Sequence, residues 1–143
     1  MKRAWFVAVV ALVLTGVCFA QSPRQVEVVA EVSLTHQTGT TSGTLYTPEE
    51  TGMFRVNFYL QCTKGDPGDF QGLTAYVHWT DDNFPEAFHQ NVGDQEEASP
   101  SSWNFIIKDL VGQPITWEVS ANAQDTSKYE VYIALEHIGP KVQ

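Results

Sequence analysis

Cysteine, basic residues and helical periodicity are all scarce in this chain, and each scarcity excludes something. There are two cysteines in 143 residues. Cys18 falls in an N-terminal apolar stretch that reads as a cleaved leader, so the remainder keeps only Cys62 and cannot form a disulfide within the chain. Its fold must rest on a packed core. Lysine and arginine together number 8 against 17 aspartates and glutamates, for a formal net charge of −9. Such a surface repels polyanions, which argues against nucleic acid and anionic membrane as partners. Beyond the leader no segment repeats apolar residues at helical spacing, which argues against a parallel α/β sheet.

The catalytic signatures are missing too. No Gly-x-Ser-x-Gly occurs to frame a serine nucleophile, and Cys62 sits on the apolar phase of its segment, a poor place for a reactive thiolate. No glycine-rich loop opens a helix to cradle phosphate. His36, His78, His89 and His137 are scattered, with no His-x-His or Cys-x-x-Cys to mark a zinc site, although His78 and His89 could approach across neighbouring strands.

What is present begins with the leader. Lys2 and Arg3 precede an unbroken apolar run from Trp5 to Leu14, followed by small residues at Cys18 and Ala20. That order predicts a signal peptide over residues 1–20, cleaved after Ala20. The run is too short to span a bilayer, which takes roughly 20 residues. Lipidation at Cys18 is disfavoured by Val17, since that processing wants a small residue before the cysteine. Removal leaves residues 21–143 as a single domain, shifts the net charge from −9 to −11 through loss of Lys2 and Arg3, and predicts a secreted, extracellular or periplasmic protein.

Period-two alternation dominates that domain. Between Gln25 and Thr35 the even positions are apolar, Val26, Val28, Ala30, Val32 and Leu34, and most odd positions are polar. Between Met53 and Cys62 they are Phe54, Val56, Phe58, Leu60 and Cys62, with Arg55, Asn57, Tyr59 and Gln61 on the other face. Leu73, Ala75, Val77 and Trp79 follow the same rule, as do Ile115, Trp117, Val119 and Ala121, and then Val131, Ile133 and Leu135. Thr44 to Thr47 is a short run stopped by Pro48, and Glu86 to Val92 reads as a short edge strand. The phase of Trp103 to Lys108 is left open by the consecutive Phe105, Ile106 and Ile107. Turn residues separate the runs. Roughly seven or eight short strands at this spacing predict an all-β, antiparallel β-sandwich with jelly-roll or Greek-key connections.

The segment Thr44-Leu-Tyr-Thr-Pro-Glu-Glu-Thr-Gly-Met-Phe-Arg-Val-Asn-Phe-Tyr-Leu, a Pro/Gly turn feeding an aromatic-rich strand, resembles the small jelly-roll modules of the C1q and tumour-necrosis-factor type. So does the closing Tyr-Glu-Val-Tyr-Ile strand. Both also resemble uncharacterised secreted or phage-associated bacterial β-sandwich proteins. The resemblance implies binding or assembly, often as trimers, rather than catalysis, and it carries no site residue with it. No collagen-like glycine repeat occurs in the chain.

These readings point first to a secreted, non-enzymatic structural or interaction module. Its expected partner is a protein, a polysaccharide or a second copy of the chain. An alternative uses aromatics: Tyr59, Tyr76 and Tyr132 fall on the polar phase of three strands, and on one sheet they would line a platform for stacking sugar rings. No cofactor is required, but calcium is the metal best suited to acidic loops, with Asp66 and Asp69 in one, Asp81 and Asp82 in another, and Glu96 and Glu97 in a third. A second alternative, a small acid/base hydrolase, would need two carboxylates facing across a cleft.

Overall fold

A computed structural model describes residues 26–64, 72–92, 100–121 and 128–139. The leader over residues 1–20, the loop holding Asp66 and Asp69, and the acidic stretch holding Glu96 and Glu97 lie outside the described residues. Eight strands run in chain order: β1 Val26–Gln37, β2 Thr41–Tyr46, β3 Gly52–Lys64, β4 Leu73–Asp81, β5 Phe84–Val92, β6 Ser101–Asp109, β7 Ile115–Ala121 and β8 Lys128–Ile138. Among the described residues no helix is long and apolar enough to cross a membrane.

The strands form two four-stranded sheets, sheet A in the order β1-β8-β3-β6 and sheet B in the order β2-β7-β4-β5. Every pairing is antiparallel. First pairs with last, second with seventh, third with sixth and fourth with fifth. That nested order is what one long hairpin gives when it rolls up, and it defines a jelly-roll sandwich. The tip of the roll is the β4–β5 turn. Asp82 and Asn83 take left-handed φ of 46° and 69°, between the paired Asp81 and Phe84. The type I′ two-residue hairpin needs this conformation at both positions, and Asp and Asn tolerate it best after glycine. Pro85, which cannot donate to a ladder, sits on β5, an edge strand.

Alternation then builds the core. Phe54, Val56, Phe58, Leu60 and Cys62 of β3 and Tyr129, Val131, Ile133 and Leu135 of β8 are buried from sheet A. They meet Leu73, Ala75 and Val77 of β4 and Ile115, Trp117 and Val119 of β7 from sheet B. Strand β6 resolves its phase by pairing Phe54 with Ile107 and Val56 with Phe105. Ile107 is buried and Ile106 is 55 % exposed. Phe105 turns toward the seam between the edge strands, where it stacks on Phe88 with ring centroids 4.3 Å apart.

Two strands depart from the simple alternation. β2 begins at Thr41, inside the Gly/Thr/Ser-rich stretch that reads as a connection, because Thr41 to Thr44 pair with Val119 to Thr116 of β7. In β1 a register shift falls between Val28, opposite Glu136, and Ala30, opposite Leu135. Ala30, Val32 and Leu34 pack on the core as expected. Upstream of the bulge the phase reverses: Val29 packs inward, while Val26 and Val28 are 50 % and 56 % exposed. A bulge adds one residue, and one residue exchanges the two faces.

Two polar groups sit in this interior. The Tyr129 ring is fully buried, and its hydroxyl donates to the Gly39 carbonyl oxygen at 2.8 Å, with the Thr41 hydroxyl also 2.8 Å away. Tyr129 thereby ties β8 to the β1–β2 crossover, and burial holds its phenol above the ordinary tyrosine value. Asp109, also fully buried, accepts the Thr80 amide proton on Oδ1 at 2.9 Å. Beside it the Leu110 N–H donates to the Thr80 carbonyl at 3.2 Å, so the end of β6 in sheet A is fastened to the end of β4 in sheet B.

This phase assignment is checkable by paired truncations read by chemical denaturation. Ile133→Ala is expected to cost about 2–5 kcal/mol as a core cavity. Ile106→Ala, one position from the buried Ile107, is expected to stay within about 0.5 kcal/mol of wild type.

Candidate functional site

With the core assigned, the chemistry that the described residues offer lies on the two outer faces, at the hairpin end and in one end cleft. On sheet A the outward residues follow from register. Arg55 opposes Glu136 on β8 and Ile106 on β6; Asn57 opposes Ala134 and Asn104; Tyr59 opposes Tyr132 and Ser102. Val28 of β1 opposes Glu136, and Ser33 opposes Tyr132. Arg55 Nη1 bonds Glu136 Oε2 at 3.1 Å in the middle of this face. Among the described residues the exposed large hydrophobics are Val26, Val28, Met53, Phe84, Ile106, Val111 and Tyr132. Five of these seven project from sheet A; Phe84 begins β5 in sheet B and Val111 lies in the β6–β7 turn. Isolated exposed hydrophobics are ordinary, but this concentration on one face is not.

At the other end of that face, Tyr59 and Tyr132 are direct cross-strand neighbours. They border a shallow concavity of about 250 Å³ whose lining includes Asn57, Ser102 and Asn104. The Tyr59 hydroxyl donates to Gln61 Oε1, which fixes the ring on the sheet. Tyr76 is not part of this surface. It lies on β4, in sheet B, so the three tyrosines divide between opposite faces of the sandwich. Its own neighbours are His78, stacked at 5.8 Å with planes 6° apart, and His89, tilted at 6.0 Å. Ser42, Thr44, Thr74, Asn91, Thr116 and Glu118 surround them through the register. That face is polar. His78 and His89 each lie against the Tyr76 ring there.

The acidic residues of the β4–β5 hairpin, Asp81 and Asp82, share one cation. Lys108 Nζ lies 3.1 Å from Asp81 Oδ1, as an ion pair rather than a hydrogen bond, and also bonds Asp82 Oδ1. The Asp82 and Asp81 carboxylates hold this ammonium above the ordinary lysine value. Among the described residues no three His, Cys, Asp or Glu side chains converge as metal ligands. Asp66 and Asp69 lie outside the described residues.

At one end of the sandwich a cleft of about 440 Å³ opens between β1, β8, β3 and the β2–β3 turn, lined by Glu27, Val29, Tyr46, Glu49, Glu50, Phe54 and His137. A glycosidase acid must hold its proton in an apolar setting. Glu27, Glu49 and Glu50 are all exposed, so the cleft does not supply that setting.

The residues invisible to alternation alone are Asn57, Ser102 and Asn104, and the outward Val26 and Val28. Their signal is pair register, which becomes available only once strand order is known.

No protein-family model matches the chain, and no curated protein matches its sequence. Among solved structures, it is similar to a subunit of the disulfide-linked pili of Bacillus endospore appendages (13 % identity over 85 % of this chain and 96 % of that one, TM-score 0.41). It is also similar to Eiger TNF from S. frugiperda (11 % identity, 81 % and 90 %, TM-score 0.42). A third is the VP2 subviral particle of infectious bursal disease virus (12 % identity, 94 % of this chain and 38 % of that one, TM-score 0.44). At these scores the likenesses carry no functional inference.

Asp109 generates a pH prediction. Burial raises its carboxyl above the ordinary aspartate value, the Thr80 and Leu110 amides oppose the shift, and the Asp81 charge adds to it; Oδ2 has no hydrogen-bond partner. A raised folded-state value contributes stability below the unfolded value, about pH 4, and loses it as pH rises through the folded value. Denaturation of wild type and Asp109→Asn across this range is expected to show the wild type losing ground to the variant as pH rises. A difference that is constant, or that moves the other way, contradicts the assignment.

Proposed function

We propose that this is a secreted, non-enzymatic interaction module that docks through the outer face of sheet A, with a second copy of the chain as the occupant. The observation that carries this reading is the concentration of exposed Val26, Val28, Met53 and Ile106 around the Arg55–Glu136 pair. Apolar surface of this kind gains about 25 cal/mol per Å² when covered. The charge pair gives the face its symmetry. Arg55 and Glu136 are opposite in register, so a two-fold axis passing between them sets each Arg against the partner's Glu. An isologous dimer requires a patch with that self-complementarity. The rest of the acidic surface would repel a second copy, whereas this face carries a balanced pair.

A polysaccharide is the second reading, and a separate observation favours it. Tyr59 and Tyr132 stand side by side on the rim of a concavity that also offers the Asn57 and Asn104 amides and the Ser102 hydroxyl. Ring faces beside amide donors and acceptors are the chemistry that binds a sugar's apolar face and hydroxyl edge. Tyr76 is on the opposite sheet and takes no part.

Secretion through residues 1–20 and a single domain over residues 21–143 belong to the same proposal. The absence of a helical span among the described residues is compatible with it.

Sedimentation and light scattering test the dimer. Wild type is expected to self-associate with rising concentration, and Ile106→Lys or Val28→Lys to remain monomeric with an unchanged circular dichroism spectrum. A wild type that stays monomeric up to roughly 1 mM sinks the reading. A panel of soluble and insoluble polysaccharides tests the sugar platform. Saturable binding lost in Tyr132→Ala, with Tyr76→Ala unaffected, supports it, and no binding to any glycan removes it for those ligands.

A further inference from the structure

The four strands of sheet A alternate in direction, so its two edge strands, β1 and β6, run antiparallel to one another. Among the described residues each pairs on one side, β1 with β8 and β6 with β3. An edge strand turns a row of backbone N–H and C=O groups away from its sheet. The sheet's own register sets the two edges level. Through β8 and β3, Ala30 stands level with Phe105, Glu31 with Asn104, Val32 with Trp103, Ser33 with Ser102 and Leu34 with Ser101. The phases agree. Ala30, Val32, Trp103 and Phe105 pack against the core yet stay half-buried, because each stands on an edge. Glu31, Ser33, Ser102 and Asn104 are exposed on the other side. β1 shifts register between Val28 and Ala30 and again between Leu34 and Gln37, and the regular stretch between the shifts is the one that matches β6. That stretch holds neither lysine nor proline, two residues that guard natural edges.

From this we infer that β6 of one copy adds to β1 of the next as an antiparallel strand, Ser101–Phe105 against Ala30–Leu34, so that sheet A runs on from copy to copy. The inference rests on the outer-face pairing proposed above, because five residues of ladder are weak alone. A two-fold axis that sets each Arg55 against the second copy's Glu136 runs along the strands. It brings the β6 edge of one copy beside the β1 edge of the other. Each flank of the pair therefore offers both edges, and the next pair meets them with two strand additions at once, which reinforce each other. Joining β6 to β1 uses two different patches, so the contact is head-to-tail and assembly continues past the dimer. Chemistry selects β6 over a second β1 as the occupant. Two β1 edges laid together about Glu31 set like charges opposite each other. Against β6, Glu31 meets the neutral Asn104, whose amide donates hydrogen bonds. On the inner side Val32 gains Trp103 and Ala30 gains Phe105, which takes half-exposed rings out of water.

Ser101 is the position to vary, since it stands opposite the buried Leu60 on the inner phase of β6 and takes no part in the outer face. Sedimentation of the chain is expected to show dimers and, at higher concentration, larger species. In those species hydrogen exchange is expected to slow the outward edge amides of Ala30–Leu34 and of Ser101–Phe105 at least about tenfold relative to the dimer. Ser101→Lys, an inward charge on an edge, is expected to stop at the dimer. Ser101→Val, an apolar match for Leu34, is expected to lower the concentration of the second step at least about twofold. Both keep the circular dichroism spectrum of wild type. Dimers that grow no further overturn the strand addition and leave the outer-face pairing standing. So do larger species whose amides on either edge stay fast, or that Ser101→Lys does not reduce. A chain that stays monomeric up to roughly 1 mM overturns both.

Discussion

Each strand of the roll carries apolar residues at alternate positions, and only the meeting of the two sheets removes them from water. With Cys62 buried on the apolar face of β3 and no disulfide among the described residues, this burial is what holds the strands together. At about 25 cal/mol per Å² the term is non-directional and does not by itself choose an order of strands. The choice comes from geometry. Asp82 and Asn83 close β4 onto β5, and every other pair nests around that hairpin. β3 and β8, interior strands of sheet A, contribute an unbroken inward row from Phe54 to Cys62 and from Tyr129 to Leu135.

Because burial is so one-sided, a polar group inside has to be explained by a bond it makes. Tyr129 and Asp109 sit at opposite ends of this requirement. The tyrosine hydroxyl reaches two partners in the β1–β2 crossover, so its burial joins segments that sheet pairing alone leaves separate. Asp109 accepts one amide proton and keeps one oxygen unpartnered. A buried carboxylate so placed is expensive in its charged form, and taking up a proton relieves it. Both groups fasten one sheet to the other, which apolar packing does without specifying position.

Much of this was legible from alternation, and the exceptions have physical reasons. The inward residues of β3, β4, β7 and β8 stand where period two puts them, because each strand has polar residues on the other phase. β1 does not: Val28, Val29 and Ala30 are consecutive apolar residues, so either phase can bury one of them, and the bulge is decided by pairing with β8. In β6, Ile106 and Ile107 pose the same ambiguity, resolved by pairing with β3. Tyr59, Tyr76 and Tyr132 share a polar phase in sequence but not a sheet, since phase tells which side of a strand a residue takes and nothing about its neighbours. The cleft was hidden more deeply. Glu27 and His137 lie at the two ends of the domain and become adjacent only through β1–β8 pairing.

That bulge in β1 links the two surfaces. Were the alternation of Ala30, Val32 and Leu34 to continue upstream without interruption, Val28 and Val26 would point inward, filling the end of the sandwich, and Glu27 would point out onto sheet A. The extra residue reverses this. Val26 and Val28 turn outward to extend the apolar face around Arg55 and Glu136, while Glu27 and Val29 turn into the cleft beside His137 and Phe54. Covering the outer face therefore leaves the cleft open, because the same strand presents its two sides to the two surfaces. One inserted residue converts a β1 terminus that would have completed the core into the shared wall of an apolar outer face and an acidic aromatic cleft.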